Sequence, residues 1–386
     1  MPIIVFSQFA GTSLWFAGNA VLPELQAHLA LANNGLVGLV TSAVQLGFIL
    51  GTLGFAIWTI ADRYSPRLVF LVCAVLGTAA NSAIFLANGI YSLLILRFLT
   101  GFFLAGIYPV GMKIAADWYQ RGLGKAIGFL VGALALGTGF PHLLRAWSGS
   151  VSWQAVIWGV SALAVTGGIL LYTLVPDGPH RKPGHRFDPA AFVRIFRSRN
   201  FRAAAFGYFG HMWELYTFWA FVPVMLAHYY ANHPSGDAGL SLWAFLIIAV
   251  GGVSCAVGGL LSLRHGSARV AGTQLFLSGM CCLFSPLLND LPEAAFLAYL
   301  AVWGFFVIGD SPQFSALSAQ TAPPELVGTA LTIMNSLGFA LTIASVQCIT
   351  WWSNHLNPEW AFVPLAVGPA IGLLALRPLW RWQPRS

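Results

Sequence analysis

Charged residues are scarce in this sequence. Only 8% of its 386 residues are Asp, Glu, Lys or Arg, whereas 58% are hydrophobic, and soluble chains carry roughly 25% charged residues. So few charges cannot cover a water-facing surface, which excludes an ordinary soluble domain, a coiled coil and a disordered tail. Apolar stretches of about 20 residues instead need a lipid bilayer around them, so we predict an all-α membrane protein.

Cysteines are few, and nucleotide-binding motifs are missing. The five cysteines lie inside apolar runs without the spacing of a disulfide framework or a zinc site, so we predict no metal and no other cofactor. The glycine-containing stretch 122–126 lacks the spacing and the Ser or Thr of a Walker loop. We therefore do not expect ATP to drive this chain directly.

Twelve apolar runs are long enough to cross a bilayer when the chain is scanned with a window of about 19 residues. Short breaks with turn-forming residues, such as Asn33-Asn34-Gly35, separate most of them. The predicted spans are 3–27, 36–60, 68–87, 91–116, 124–145, 154–175, 203–228, 240–262, 270–288, 294–318, 328–351 and 360–376.

Positive charges follow the even-numbered runs. Of the 19 Lys and Arg residues, 16 come after an even-numbered run, and the exceptions are Arg97, Lys113 and Arg145. Because cytoplasmic loops hold the excess of Lys and Arg, we expect a multi-pass protein of the plasma (inner) membrane with both termini in the cytoplasm. The net charge of +7 then reflects topology, and no nucleic-acid partner is predicted.

The break at 176–202 is long and basic, and it divides the chain into two parts of similar size. We predict an N-terminal six-helix bundle over 1–176, a cytoplasmic linker over 177–202 and a C-terminal six-helix bundle over 203–386. Within the linker, Pro189 to Arg199 alternates apolar and basic residues. That pattern is typical of a surface helix lying on anionic lipid headgroups.

An internal repeat relates the two halves. Gly101 to Pro109 in the fourth run aligns without gaps on Gly304 to Pro312 in the tenth, with five identities in nine positions. Matches of the same order occur between the first and seventh runs and between the fifth and eleventh. Two six-helix pseudo-repeats joined by a cytoplasmic loop are typical of transporters.

Two local motifs resemble those of the major facilitator superfamily. After the second run, Asp62, Arg63 and Arg67 match the family's motif at the cytoplasmic end of helix 2, although Ser65 stands where glycine is usual. In the fourth run, Arg97 is followed four residues later by glycine, as in the family's Arg-x-x-x-Gly pattern. With the twelve spans and the repeat, the chain resembles this superfamily over its whole length.

The resemblance implies alternating access, in which two bundles rock about a central site lined by helices 1, 4, 7 and 10. It also implies a gating role for Asp62, Arg63 and Arg67. An aspartate at a helix end can pair with arginine and with a neighbouring helix N-terminus, and so stabilise one conformational state.

Three ionisable side chains in the middle of predicted spans are candidates for proton coupling. Such groups cost roughly 2.5–3.5 kcal/mol in a bilayer, so they are functional candidates by default. His211 and Glu214 lie three residues apart on one face of the seventh run. Asp310 precedes Pro312 in the tenth run, where the proline interrupts helical hydrogen bonding; a cap for the freed backbone is the competing role of this aspartate.

Six further residues are predicted to line a substrate cavity. They are polar or aromatic groups within predicted runs: Asn19, Arg97, Tyr108, Trp213, Gln313 and Asn335. All except Asn335, which lies in the eleventh run, belong to the runs that the resemblance assigns to the cavity. For the polar Asn19 and Asn335, hydrogen bonding between helices is an alternative. Arg97 has two open interpretations, as a group that serves coupling or structure and as a binding site for an anionic solute.

These features predict a secondary active transporter of a small organic solute, coupled to protons and acting as a monomer in the bilayer. Export of drugs or cations in exchange for protons is the alternative. A polytopic membrane enzyme is a weaker one, because its clustered catalytic carboxylates are absent from the runs. We therefore predict that the chain is not an enzyme.

Overall fold

The fold consists of helices connected by short loops. A computed structural model describes residues 1–31, 35–119, 123–147, 152–181, 191–233 and 239–380. Within these ranges the secondary structure is helical and contains no β-strand. The prediction of an all-α protein is confirmed.

The first half of the chain forms six helical spans. They are α1 (Pro2–Thr12, Ala17–Ala20 and Leu22–His28), α2 (Leu36–Ile57), α3 (Pro66–Leu86), α4 (Ile90–Leu104 and Tyr108–Trp118), α5 (Leu123–Trp147) and α6 (Trp153–Leu174).

The second half forms six more. They are α7 (Arg199–Asn232), α8 (Leu240–His265), α9 (Ser267–Asp290), α10 (Glu293–Gly309 and Ser311–Thr321), α11 (Val327–His355) and α12 (Pro358–Leu379). Each overlaps one predicted span, and the twelve-helix prediction is confirmed.

Ten of these spans are long and apolar enough to cross a membrane. The other two are α1, which is divided into short pieces, and the 34-residue α7, whose apolar residues are interspersed with polar groups such as His211 and Glu214. Both depart from a uniform apolar helix at the centre of the bundle, where the candidate site lies.

Three of the central helices are interrupted near their middle. The breaks are 13–16 in α1, 105–107 in α4 and Asp310 in α10. In α4 and α10 the second segment carries a proline in its first turn, Pro109 and Pro312. Proline has no N–H to donate and is accommodated best in the first turn of a helix. The internal repeat thus places a break at the same aligned position in both halves.

Close helix packing repeats in the two halves as well. A Cβ atom at Gly101 of α4 would collide with the carbonyl oxygen of Val44 in α2, and one at Gly304 of α10 would collide with that of Ile247 in α8. Because only glycine leaves room for such backbone contact, these two aligned positions dock α4 on α2 and α10 on α8 in the same way.

Adding a methyl group at either docking glycine is expected to destabilise the protein. Overpacking typically costs about 1–3 kcal/mol, so Gly101→Ala and Gly304→Ala should each lower the thermal unfolding midpoint in detergent. Gly259→Ala in α8 is the matched control, because its added Cβ would meet no atom within 4 Å. Equal midpoints for all three variants would contradict this packing.

The loops gather at two ends of the bundle. At one end, which we call the terminal face, Met1 starts α1, and Lys113 pairs with Asp62 at 2.8 Å. At the opposite end, the distal face, Arg145 of α5 forms an ion pair with Glu24 of α1. The ends of successive helices therefore lie at alternate faces, as twelve successive crossings require.

Toward the distal face, the two halves contact each other along α2 and α11. Gln347 Nε2 donates to Ser42 Oγ at 2.8 Å. A Cβ at Gly38 would collide with the side chain of Thr350. A second contact joins α5 to α8, where Gly132 and Gly252 face each other. The bundle is therefore closed between α2 and α11 on its distal side.

The segment between the halves includes a short helix. Ala191–Arg197 is helical and lies within the stretch that the sequence predicts as amphipathic. Ile195 is fully buried, whereas Phe192 and Val193 are exposed. Residues 182–190, which include Pro189 of that prediction, lie outside the described ranges.

Candidate functional site

A buried ion pair joins α7 to the break in α10. His211 Nδ1 lies 2.8 Å from Asp310 Oδ1, and both side chains are about 1% exposed. The two atoms are close but not aligned for a hydrogen bond, and both ring nitrogens and both carboxylate oxygens lack a hydrogen-bond partner among the described residues. Buried ionisable groups are normally well hydrogen-bonded, so this pair has hydrogen-bonding capacity that the described residues do not fill.

The break itself explains how Asp310 reaches this position. The first segment of α10 ends at Gly309 and the second begins at Ser311, so Asp310 is the residue between them. Its side chain does not cap the following segment. The capping role considered for Asp310 is therefore not what the structure shows; the carboxylate faces His211 instead.

Glu214 lies one turn from His211 but has different partners. Trp303 Nε1 donates to its Oε1 at 2.6 Å, and Ser278 Oγ donates to its Oε2 at 2.9 Å. Glu214 is about 1% exposed, and no Lys or Arg of the described chain forms an ion pair with it. This carboxyl group connects α7 to α9 and α10, and the structure pairs His211 with Asp310 rather than with Glu214.

An aromatic cluster fills the centre between the two halves. It brings together α1, α2, α7 and α11, with ring centroids 4.4–5.6 Å apart, and each ring is no more than 3% exposed. Its members, which we call the aromatic layer, are Trp15, Phe48, Tyr216 and Phe339. Tyr216 follows His211 along α7 toward the distal face, so the layer separates the ion pair from that face.

Polar atoms in and beside this layer have no hydrogen-bond partner among the described residues. Trp15 Nε1, Trp219 Nε1 and both amide atoms of Gln45 are buried without a hydrogen bond. Trp219 packs on Tyr216, with centroids 5.3 Å apart, and Gln45 lies one turn from Phe48 in α2. Unpaired buried donors are costly, so these atoms are candidates for contact with a bound ligand.

The predicted cavity residues fall into separate environments. Asn19 donates to Thr41 Oγ1 at 2.8 Å, so it bridges α1 and α2. Tyr108 begins the second segment of α4 and is half-buried. Asn335 is half-buried on α11, one turn from the ring of Phe339 in the aromatic layer. Gln313 is buried in the second segment of α10, where it lines a cavity that opens at the terminal face.

Two predicted cavity residues do not face the centre. Trp213 points to α12, because its Nε1 donates to the carbonyl of Pro364 and its side chain packs on Gly368. The spacing along α7 could not tell this helix-packing face from the central face. Arg97 is fully buried and belongs to the N-terminal half alone.

Arg97 binds the break in α1. Its Nη2 donates to the carbonyls of Leu14 and Trp15 at 3.2 and 2.6 Å, and its Nη1 donates to Asn81 Oδ1 at 3.0 Å. An added Cβ at Gly18 would lie 3.1 Å from Arg97 Nε, so glycine leaves room for the guanidinium. This arginine therefore satisfies carbonyl groups that the helix break frees.

The predicted gating residues form contacts within one half. Asp62 pairs with Lys113 of α4 at 2.8 Å. Arg67 lies 3.7 Å from Asp177 at the start of the linker, and Arg63 is exposed. In this conformation the motif connects the α2–α3 junction, α4 and the end of α6, and within the described ranges none of its ion pairs reaches the second half.

Comparison with known proteins agrees with this architecture. The sequence profile of the Major Facilitator Superfamily matches residues 4–346. The chain is 24% identical to the hexuronate transporter of Bacillus subtilis over 355 residues, which covers 80% of this chain and 78% of that protein. It is 25% identical to a nitrate/nitrite transporter of Nostoc punctiforme over 224 residues, or 54% of this chain and 43% of that protein.

A solved structure shares the fold. The crystal structure of the human organic anion transporter MFSD10 superposes with a TM-score of 0.70, covering 97% of this chain and 99% of that one, at 14% identity. Twelve helices, an internal repeat with matching breaks and a family match over most of the length have one explanation. The chain belongs to the major facilitator superfamily and is a membrane transporter, not an enzyme.

Proposed function

We propose that this protein is a secondary active transporter that moves a small organic anion together with a proton. The observation that carries the proposal is the buried pair of His211 and Asp310 at the break in α10. The two halves, 1–176 and 203–386, are the bodies that rock, and the linker 177–202 connects them on the cytoplasmic side of the plasma membrane. The protein acts as a monomer.

The pair provides a chemical link between proton and anion. When Asp310 is ionised, its carboxylate is the counter-ion of protonated His211. When a proton neutralises Asp310, the imidazolium loses its partner, and a buried unpaired cation is costly. A carboxylate of the solute can then take the place of Asp310. The solute is thus bound only with a proton, which is the condition for symport.

The surroundings of the pair favour an organic anion. The three unpaired donors beside the aromatic layer, on Trp15, Trp219 and Gln45, can bind carboxylate or hydroxyl oxygens. Glu214 has hydrogen-bond donors on both oxygens and serves in this proposal as a second proton acceptor one turn away. The relatives named for hexuronate and for nitrate/nitrite carry anions, which supports the same class of solute.

Exchange of a cation for protons is the second candidate. The aromatic layer favours it, because Trp, Tyr and Phe faces attract organic cations, and two carboxyl groups lie nearby. The direction of proton movement distinguishes the two candidates.

Proteoliposomes that contain a pH-sensitive dye provide the test. Adding glucuronate outside should acidify the lumen, because each anion enters with a proton, and empty liposomes should show no change. Nitrate tests whether an inorganic anion suffices. A rise in luminal pH on addition of tetraethylammonium, without any response to the anions, would replace symport with cation exchange.

A further inference from the structure

A cavity of about 1110 Å³ opens at the terminal face, apart from the candidate transport site. It lies between the ends of α5, α8, α9, α10 and α12, and its lining includes neither His211 nor Asp310. The lining joins α5 of the N-terminal half to four helices of the C-terminal half, and the proposed exchange at His211 and Asp310 does not use its cationic residues.

The charge of the cavity has one sign. Lys125, Arg264 and Arg269 line it with exposed cationic side chains, and His265 lies beside them. No Asp or Glu is among the described residues of its lining. Arginine and lysine together bind phosphate oxygens well, because guanidinium supplies paired donors and ammonium a compact charge.

The walls of the cavity are apolar and exposed. Leu260 and Leu263 of α8 are 65% and 83% exposed, and Phe129 and Trp380 are 43% and 45% exposed. In a membrane-spanning helix, such side chains face lipid. Lys125 Nζ lies over the ring of Phe129, 5.9 Å from its centroid, so cationic and apolar groups form one continuous surface.

We propose that this cavity binds an anionic phospholipid of the leaflet at the terminal face. The phosphate lies against Lys125, Arg264 and Arg269, and an acyl chain lies along Leu260 and Leu263. A site for a soluble anion would not need exposed leucines, whereas a basic pocket between helix ends beside an apolar wall fits a lipid headgroup. A phospholipid therefore explains both the cationic part and the apolar part of this surface.

The position of the cavity gives the lipid a consequence for transport. Its inner wall is formed by Pro312 and Gln313, which follow Asp310 in the second segment of α10. A lipid held against this segment resists movement of the break in α10. We expect anionic lipid to change the transport rate, with the substrate class unaffected.

Native mass spectrometry of the full-length protein tests the site directly. Dioleoyl phosphatidylglycerol should remain bound at collision energies that remove dioleoyl phosphatidylcholine, which has the same acyl chains. The double variant Arg264→Gln/Arg269→Gln should weaken phosphatidylglycerol binding about thirtyfold, since each basic residue near a membrane contributes about 1 kcal/mol. Inorganic phosphate alone is the second probe.

Two further variants distinguish binding in the cavity from general attraction of anionic lipid to positive charge. Arg63→Gln removes an exposed charge that lies outside the cavity and outside the amphipathic stretch of the linker, and it should leave the lipid preference unchanged. Gly259→Leu fills the cavity without removing charge, and an added Cβ there meets no atom within 4 Å, so a folded protein that loses the lipid is expected.

Three results would overturn the proposal. The first is an equal loss of lipid in Arg264→Gln/Arg269→Gln and in Arg63→Gln, which would indicate bulk attraction only. The second is full retention of phosphatidylglycerol in folded Gly259→Leu. The third is saturable binding of inorganic phosphate without any preference for anionic lipid, which would assign the cavity to a soluble anion. Size-exclusion profiles establish that each variant is folded.

Discussion

Replacing Asp310 with asparagine is expected to uncouple solute movement from protons while the protein stays folded. Asparagine has the same shape as aspartate and fits the same buried position, but it neither ionises nor takes up a proton. With a pH difference of one unit, symport of one proton per anion permits about tenfold accumulation. The Asp310→Asn variant should accumulate none and reach only equal concentrations on both sides.

Exchange of labelled for unlabelled solute completes this test. Because His211 remains available to the anion in Asp310→Asn, exchange without a pH gradient should persist. Asp290→Asn, the same change at an exposed site at the end of α9, is the control and should accumulate solute normally. Retained tenfold accumulation in folded Asp310→Asn would disprove the role of the pair, and loss of both accumulation and exchange would show that Asp310 binds solute itself.

The spans were predictable because they depend on local composition. Runs of apolar residues end at glycine, proline and charged residues, so the predicted ranges differ from the observed ones by only a few residues at most ends. The interruption in α10 was also visible, since Pro312 cannot donate a helical hydrogen bond. The aligned Pro109 marks the interruption in α4 in the same way.

The contacts of the site were less accessible to sequence reasoning. The spacing of His211 and Glu214 predicts a shared helical face, but it contains no information about which distant side chain meets each of them. Asp310 is 99 residues from His211 in the chain, and only the packing of α10 on α7 brings them together. Trp213 failed for a related reason, because the boundary between the central face and the α12 face cannot be seen in one sequence.

The break in α1 had no local signal at all. Residues 13–16 include neither proline nor glycine, and their backbone leaves the helix because a side chain from another helix binds the freed carbonyls. Arg97 lies more than 80 residues away, and the family resemblance left its role open between structure and anion binding. The hydrogen bonds of Arg97 in this conformation favour the structural interpretation.

Removal of the Arg97 guanidinium is therefore expected to unfold a large fraction of the protein. Arg97→Met leaves the carbonyls of Leu14 and Trp15 and the amide oxygen of Asn81 without donors in the protein interior. Hydrogen bonds to charged groups contribute about 1.5–3 kcal/mol each, so a loss of at least about 3 kcal/mol should follow. The thermal unfolding midpoint in detergent should fall sharply, and the yield of monodisperse protein with it.

The Arg97→Lys variant separates the effect of guanidinium geometry from the effect of positive charge. It retains the positive charge but provides a single ammonium group, which cannot reach two carbonyls and Asn81 with the geometry of a guanidinium. We expect Arg97→Lys to be unstable as well, by a smaller amount, while Arg63→Met, which removes an exposed arginine, should match the native midpoint. If Arg97→Met instead folds normally and loses only anion binding, the arginine serves the solute, and the break in α1 is stabilised by other contacts. The break determines the shape of α1 beside the aromatic layer. The stability of Arg97→Met therefore also tests whether Arg97 of α4 holds that part of the site in place.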